Sequence, residues 1–365
     1  MTSEEVPERR QFFREVARRA IQTSGAALGG IDSLRGAAYE GLVAARDFGT
    51  GSEIEPPAPA WDRRPFYGSG GGLLVLDRRA FPALSWQRLS TAQDLAGSVR
   101  RHHIVGGPWM LPLSLEALAG TVRSTPHLTP REQRTAVRAT AGLLAGLDPD
   151  SPWFARAKQM VGDFDAGADE ADFAHLLSTA AKEEISEIEL AQRGQAERLR
   201  RYLGEHVTDK SVLVFGHATN ATGGVTIDAV QRALPRNRLF IAEGRPAAVG
   251  RSVTIPAAAA AGLSATLIAD ASFGSLVYSD QVGAVVIGAD LIDGPTAIGG
   301  PGMIAASATA AACGVPVVVV GMAGQDAVSS PPERPKWIGP DELPHSPPAW
   351  ERMPTSLADS VITGD

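Results

Sequence analysis

Five short apolar runs in the C-terminal half of the chain limit its fold more than any other feature. Each run has four or five residues, shows no polar alternation, and ends at a polar or glycine-rich turn. The runs are residues 212–215, 239–242, 265–269, 284–287 and 317–320. Helix-favouring segments, such as 225–234 and 304–313, separate most of them. Uniformly apolar strands that alternate with helices are typical of a parallel sheet covered on both faces.

The residues before these runs favour helices instead. Thr91 and Asp94 form the pattern of a capping box, which predicts a helix to about residue 102. Thr129-Pro130-Arg131-Glu132 predicts a second helix start, and the longest helical stretch covers about 169–203. Residues 3–48 also have a helical pattern, and 73–76 form a short predicted strand. The tail after residue 329 is rich in proline, and we expect an extended arm that ends in a helix near 355–361.

We therefore predict an α/β protein, in which a Rossmann-like parallel sheet in a C-terminal domain follows a mostly helical N-terminal domain. A helical N-terminal extension with a proline- and glycine-rich connector is expected at residues 1–71. The mostly helical domain is expected at 72–205. The α/β catalytic or ligand domain, with its proline-rich arm, is expected at 206–365.

Composition excludes several classes of function. The chain has 365 residues, a net charge of −7 and one cysteine, so no basic field recruits nucleic acid and no internal disulfide forms. No secretory signal or long apolar span is present, and we expect a cytoplasmic protein without a membrane or nucleic-acid partner. Phosphate-loop, dinucleotide-binding, zinc-protease and serine-hydrolase motifs are absent from the sequence. We predict neither a cofactor nor a metal.

Polar side chains follow the predicted strands. The carboxyl ends of parallel strands meet at one edge, where α/β proteins bind ligands. The candidates after the first four runs are His217, Thr219, Asn220, Glu243, Arg245, Arg251, Asp270 and Asp290. Their convergence predicts a small-molecule site.

Each candidate also has a structural interpretation. His217 could only hold a turn, and Asp270 and Asp290 could cap the helices that follow. Arg245 either pairs with Glu243 or binds a phosphate or carboxylate. The glycine-rich segment 299–302 is either a simple turn or an anion-binding nest at a helix start. Asp290 is the best candidate for acid–base chemistry.

The motifs GHATNATGG, FIAEGRPAAVGR, VVIGADLI and GGPGMIAAS together resemble one superfamily. It comprises methylthioribose-1-phosphate isomerase, ribose-1,5-bisphosphate isomerase and the α, β and δ subunits of translation initiation factor 2B. The family's glutamate–x–arginine–proline motif is similar to Glu243, Arg245 and Pro246, and its glycine–alanine–aspartate motif ends at Asp290. The resemblance covers about residues 72–365.

For the isomerases the resemblance implies a homodimer and a catalytic cysteine–aspartate pair. Asp290 stands at the aspartate position, but Ala218 stands at the cysteine position. The family's ligand-contacting asparagine–lysine pair falls at Gly299 and Gly300. Cys313, the only thiol, is late in a predicted helix, and we expect it in the core.

The sequence thus predicts a diverged isomerase-like enzyme that uses Asp290, with His217, for proton transfer on a small sugar-derived or related metabolite. The predicted substrate-binding residues are Thr219, Asn220, Glu243, Arg245, Arg251, Asp270, Gly299 and Gly300. One alternative is a standard pentose-phosphate isomerase in which His217 or Thr219 replaces the cysteine. The other is a non-catalytic ligand-binding or assembly protein, as the initiation-factor subunits are.

Overall fold

A computed structural model gives the fold of the chain. It describes residues 65–69, 72–77, 85–100, 107–147, 151–167, 173–216, 224–234, 238–245, 249–324 and 351–364. These residues belong to one compact unit, Ser52–Asp365. The helix predicted within residues 3–48 lies outside the described residues.

The N-terminal part combines a small antiparallel sheet with helices. Its strands are β1 (Phe66–Ser69), β2 (Gly72–Leu76) and β3 (Trp86–Leu89), paired in that order. Its helices are α1 (Ala92–Arg100), α2 (Met110–Arg123), α3 (Pro130–Leu147), α4 (Pro152–Gly167) and α5 (Phe173–His206). The mostly helical character predicted for this region is confirmed, although only β2 of its three strands was expected.

The capping box predicted at α1 and the helix start predicted at α3 are both present. At α1, the Thr91 amide donates to Asp94 Oδ2 at 3.0 Å, and the Asp94 amide donates to Thr91 Oγ1 at 3.2 Å. At α3, the Thr129 amide donates to Glu132 Oε2 at 2.8 Å. The hydroxyl and amide of Thr129 both donate to this carboxylate, which lowers the pKa of Glu132. These bonds fix the starts of the two helices.

The C-terminal part is built on a parallel sheet. In chain order its elements are β4 (Ser211–Phe215), α6 (Gly224–Ala233), β5 (Leu239–Ala242), a π-helical turn (Gly250–Thr254), α7 (Ile255–Ala260), β6 (Ala265–Ile268), α8 (Phe273–Tyr278), β7 (Val282–Gly288), β8 (Leu291–Asp293), β9 (Thr296–Gly299), α9 (Met303–Ala312), β10 (Val317–Val320), β11 (Glu351–Pro354) and β12 (Ser360–Ile362). In the described residues the main sheet has the order β12-β10-β7-β4-β5-β6, and every adjacent pair is parallel. All five predicted strands are confirmed, and so is the predicted fold class.

Two sequence predictions are wrong in this part. Residues 355–361 do not form a helix: a short 3-10 turn, Thr355–Leu357, leads into β12, which pairs with β10. The β-branched residues Val361 and Ile362 extend the sheet there. Cys313 is exposed rather than buried, because it follows the last residue of α9 and the chain turns at Gly314, so that Val315 takes the buried position.

Three apolar clusters form the core. Two of them cover the two faces of the main sheet, as its continuous apolar strands require. The third lies mainly among α2 to α5, and it also includes Val253, Leu291 and Ile298 from the C-terminal part. Helices α2 to α5 therefore pack directly beside the carboxyl ends of the strands of the main sheet. No helix among the described residues is long and apolar enough to cross a membrane.

Candidate functional site

The order of the strands places a crevice between β4 and β7. From β4 the chain builds the sheet outward through β5 and β6, and from β7 it builds in the opposite direction through β10 and β12. Such a reversal opens a crevice at the carboxyl ends of the two central strands, where α/β proteins bind ligands. Gly216 follows β4, and a Cβ atom on it would lie only 3.0 Å from the Gly288 carbonyl oxygen at the end of β7.

Asp290 lies beside this crevice and is 3% exposed. Its amide donates to the Ile298 carbonyl oxygen at 2.8 Å, which holds the residue between β7 and β9. A strand, β8, follows Asp290, so the alternative that Asp290 caps a helix is wrong. The burial of this carboxyl group is the strongest chemical feature of the site.

Gly107 packs against the carboxyl group of Asp290. A Cβ atom on Gly107 would lie 2.9 Å from Asp290 Oδ1, and the residue has a φ of +77°. Glycine fits here for both reasons, because it has no Cβ atom and tolerates a positive φ. The loop before α2 thus covers Asp290, a contact that we did not predict.

Glu243, Arg245 and Asp270 form a second cluster at the ends of β5 and β6. Arg245 Nη2 lies 2.9 Å from Glu243 Oε1, and the hydrogen bond and charge of Glu243 raise the pKa of Arg245. The Arg245 side chain is 64% exposed, whereas that of Glu243 is 18% exposed. The predicted pairing of Arg245 with Glu243 is therefore present, and the guanidinium still faces solvent.

Asp270 holds the turn that carries Arg245. Its Oδ1 accepts the Gly244 amide at 2.8 Å and its Oδ2 accepts the Arg245 amide at 2.7 Å. Its side chain does not cap the 3-10 turn Asp270–Ser272 that follows, so the capping alternative is wrong here too. Since β5 lies two strands from β7, the ends of these strands are about 10 Å apart.

The glycine-rich segment before α9 is an anion-binding nest, and the protein's own carboxylate occupies it. The Gly302 and Ile304 amides donate to Glu351 Oε2 at 3.0 and 2.9 Å. Gly302 has a φ of +102°, and a Cβ atom there would lie 2.5 Å from Phe215 Cζ, so the nest lies at the end of β4. The role of Glu351 was not predicted, because 49 residues separate it from Gly302.

The remaining predicted residues are placed as follows. Gly299 is buried, and a Cβ atom on it would lie 3.2 Å from the Gly288 carbonyl oxygen, whereas Gly300 borders open space. Arg251 is exposed on the π-helical turn, and π-helical turns often occur at functional sites. The other candidates, namely His217, Thr219, Asn220 and the Ala218 beside them, lie outside the described residues.

Within the part of the chain that the structure describes, no group of three or more His, Cys, Asp and Glu side chains could hold a metal ion. The site offers instead a buried carboxyl group, an ion pair with an exposed guanidinium, and a helix start that already holds an anion.

Comparison with known proteins gives the same fold. The δ subunit of translation initiation factor eIF-2B from A. fulgidus is 20% identical, with a TM-score of 0.64 over 82% of this chain and 94% of that one. The 5-methylthioribose 1-phosphate isomerase of Pyrococcus horikoshii OT3 is 17% identical, with a TM-score of 0.67 over 86% of this chain and 94% of that one.

A translation initiation factor eIF-2B from Pyrococcus horikoshii OT3 is 14% identical, with a TM-score of 0.54 over 74% of this chain and 94% of that one. A comparison with curated protein sequences gives no match. The model of the Initiation factor 2 subunit family matches residues 106–323, which span helices α2 to α9, the crevice and five of the six strands of the main sheet. The superfamily predicted from the sequence is confirmed, and the chain belongs to the Initiation factor 2 subunit family.

Proposed function

We propose that this protein is a diverged isomerase-like enzyme in which Asp290 transfers a proton on a small sugar-derived or related metabolite. The observation that carries the proposal is the burial of Asp290, which is 3% exposed at the edge of the crevice. Burial disfavours the charged form of a carboxyl group, and it thereby suits an aspartate for exchanging a proton near neutral pH. We further propose that the enzyme acts in the cytoplasm as a homodimer.

The surroundings of Asp290 support a catalytic role over a structural one. Burying a carboxyl group is unfavourable, so its presence at a ligand-binding crevice requires a reason. The neighbouring backbone of Gly107 shields it from water on one side, and the crevice between β4 and β7 adjoins it. Shielding from water strengthens electrostatic interactions with a bound substrate.

The occupied nest at α9 supports a substrate without a phosphate at that position. The Gly302 and Ile304 amides, which could bind a phosphate oxygen, already donate to Glu351. A phosphate there would have to displace Glu351 and would meet its negative charge. The exposed guanidinium of Arg245, held by Asp270 and Glu243, is better placed for an anionic or hydroxyl group of the substrate.

The test uses exchange of substrate hydrogen with solvent. Purified protein is incubated in D₂O with a panel of pentoses, 5-modified pentoses and their 1-phosphates, and mass spectrometry measures deuterium uptake and isomerisation. We expect the wild type to act on an unphosphorylated member of the panel, and Asp290→Asn to lower the rate by about 10² to 10⁴. If Asp290→Asn keeps the wild-type rate, the proton-transfer role is wrong.

Asp280→Asn is the matched control. Asp280 is an exposed aspartate near the other end of β7, paired with Lys210, and it has a φ of +60°, which asparagine also tolerates. We expect this variant to exchange deuterium at the wild-type rate. Equal losses in both variants would point to a folding defect rather than to chemistry.

A non-catalytic ligand-binding or assembly protein is the second candidate. It is favoured because charged groups of the site already bind other groups of the same protein: Glu243 pairs with Arg245, and Glu351 accepts hydrogen bonds at the start of α9. If this alternative holds, neither the wild type nor Asp290→Asn catalyses deuterium uptake by any member of the panel, yet the protein still binds a small molecule. Mass spectrometry of compounds that copurify with the native protein tests for that binding.

A further inference from the structure

Trp109 anchors the loop that covers Asp290. It is 3% exposed and stands immediately before α2. Its ring packs edge-on against Phe66 of β1, with 6.1 Å between the ring centroids and 81° between the ring planes. Edge-to-face packing of aromatic rings is favourable beyond the apolar area that it buries. The indole therefore ties the start of α2 to the small antiparallel sheet.

A backbone hydrogen bond connects this anchor to Gly107. The Met110 amide donates to the Gly107 carbonyl oxygen at 3.0 Å, which closes a turn around Pro108 and Trp109. The ring of Pro108 fixes its own φ and so removes one of the torsions through which the turn could deform. A shift of the Trp109 ring would therefore move Gly107 as well.

The same turn contacts the carboxyl group of Asp290. A Cβ atom on Gly107 would lie 2.9 Å from Asp290 Oδ1, so the Gly107 backbone lies directly against that oxygen. Leu291 follows Asp290 in the chain, and Ile298 accepts the Asp290 amide. Both of these residues belong to the apolar cluster that contains Trp109. The cover of Asp290 is thus continuous with the cluster that Trp109 anchors.

The ring of Trp109, rather than its polar atom, holds the loop. Among the residues that the structure describes, its indole Nε1 is buried and has no hydrogen-bond partner. Burying a donor without a partner is unfavourable, so this nitrogen does not stabilise the turn. Phenylalanine at position 109 would keep an aromatic ring for contact with Phe66 and would lose no hydrogen bond. Alanine would leave a cavity beneath the turn.

We propose that Trp109 is a positioning residue for the reaction: its ring holds the Gly107 turn against Asp290 and so keeps water from the carboxyl group. The inference rests on the proton transfer proposed for Asp290, and it adds the residue that keeps water away from that group. Exclusion of water strengthens the electrostatic interactions within a site. Loss of the cover should therefore lower the rate of proton transfer more than it weakens substrate binding.

Carboxyl labelling with a water-soluble carbodiimide and glycine ethyl ester tests the cover without any substrate. Mass spectrometry of peptides from the labelled full chain follows Asp290, and the exposed Asp280 is the internal reference. We expect Asp290 to react slowly in the wild type and at least about tenfold faster in Trp109→Ala, because an open loop exposes the carboxyl group. Trp109→Phe should restore the protection of Asp290.

The kinetic counterpart uses any sugar that exchanges deuterium. Trp109→Ala should lower kcat by about tenfold and leave KM nearly unchanged, since the cover acts on the proton transfer. Trp109→Phe should have a kcat close to that of the wild type.

Trp153→Ala is the matched control, because Trp153 is a buried tryptophan of the same cluster, 8% exposed, but lies on α4. It removes an equal ring and should lower the urea midpoint, yet the labelling of Asp290 and kcat should stay at wild-type values. If either alanine variant fails to fold by circular dichroism, Trp109→Leu and Trp153→Leu give the same comparison.

Three results overturn the positioning role of Trp109. In the first, wild-type Asp290 reacts as fast as Asp280. In the second, Trp109→Ala leaves the labelling rate of Asp290 unchanged. In the third, Trp153→Ala raises that rate as much as Trp109→Ala does. A wild type that exchanges deuterium with no sugar overturns the reaction proposed for Asp290, and the labelling then still decides whether Trp109 maintains the cover.

Discussion

Replacement of Glu351 tests the link between the C-terminal segment and the start of α9. One oxygen of Glu351 accepts the Gly302 and Ile304 amides at 3.0 and 2.9 Å. Loss of a capping side chain costs about 1 kcal/mol of stability. Loss of a negative charge at a helix start costs about 0.3–1 kcal/mol more. We therefore expect Glu351→Ala to lower the free energy of unfolding by about 1.3–2 kcal/mol.

Glu351→Gln separates the charge from the hydrogen bonds. Glutamine keeps one carbonyl oxygen as an acceptor but has no charge, so we expect a loss of about 0.3–1 kcal/mol at low salt. That loss should shrink in concentrated salt, because the interaction of a charge with a helix start is screened. In Glu351→Ala only the charge part should shrink, and the loss of about 1 kcal/mol from the missing capping hydrogen bonds should persist.

Urea unfolding followed by circular dichroism measures these differences, which are valid where the slope m is common to all variants. Glu205→Ala is the control, since Glu205 is an exposed glutamate near the end of α5. It should change stability by less than about 0.5 kcal/mol. If Glu351→Ala unfolds at the same midpoint as Glu205→Ala, the capping role of Glu351 is refuted. If Glu351→Gln loses as much free energy of unfolding as Glu351→Ala, the carbonyl oxygen that glutamine retains contributes nothing to stability.

Three further predictions concern the scaffold. Thr129→Ala removes the capping box of α3 and should cost about 1 kcal/mol in urea unfolding, whereas Thr129→Ser should cost much less. Burial raises the pKa of Glu184, although Arg156 lowers it. As pH rises from the ordinary carboxyl pKa to the raised pKa, the free energy of unfolding of wild type should therefore fall relative to that of Glu184→Gln. A difference in stability that grows towards acid pH would contradict this. Gly250→Ala should strongly destabilise the protein, because its Cβ atom would lie 1.8 Å from the Ala242 carbonyl oxygen; an unchanged thermal midpoint would show that the contact is wrong.

The main strands could be predicted because their signal is local. Each of the five runs is apolar throughout, since helices cover both faces of the sheet, and glycine or polar turns mark their ends. The short strands β8, β9, β11 and β12 carry no such signal: β8 and β9 pair with each other as a hairpin, and β11 and β12 pair with β9 and β10, which are distant from them in the chain. Cys313 fitted the helical repeat, but the helix ends one residue before it.

The residues of the candidate site also divide into those that the sequence could predict and those that it could not. Asp290, Glu243, Arg245 and Asp270 follow strands, so the topology of a parallel sheet places them at one edge. The contact of Gly107 with Asp290 depends on how the helices pack against the sheet. No sequence pattern near Gly107 encodes that packing.

The two hydrogen bonds of Asp270 have a consequence for substitutions at position 245. Asp270 holds the turn after β5 through the main-chain amides of Gly244 and Arg245, not through the Arg245 side chain. The path of the backbone is thus set independently of which side chain occupies position 245, and that side chain is 64% exposed. A single substitution there can change the charge that the turn presents to solvent while the turn itself stays in place. Position 245 is accordingly one that can vary by mutation without loss of the fold.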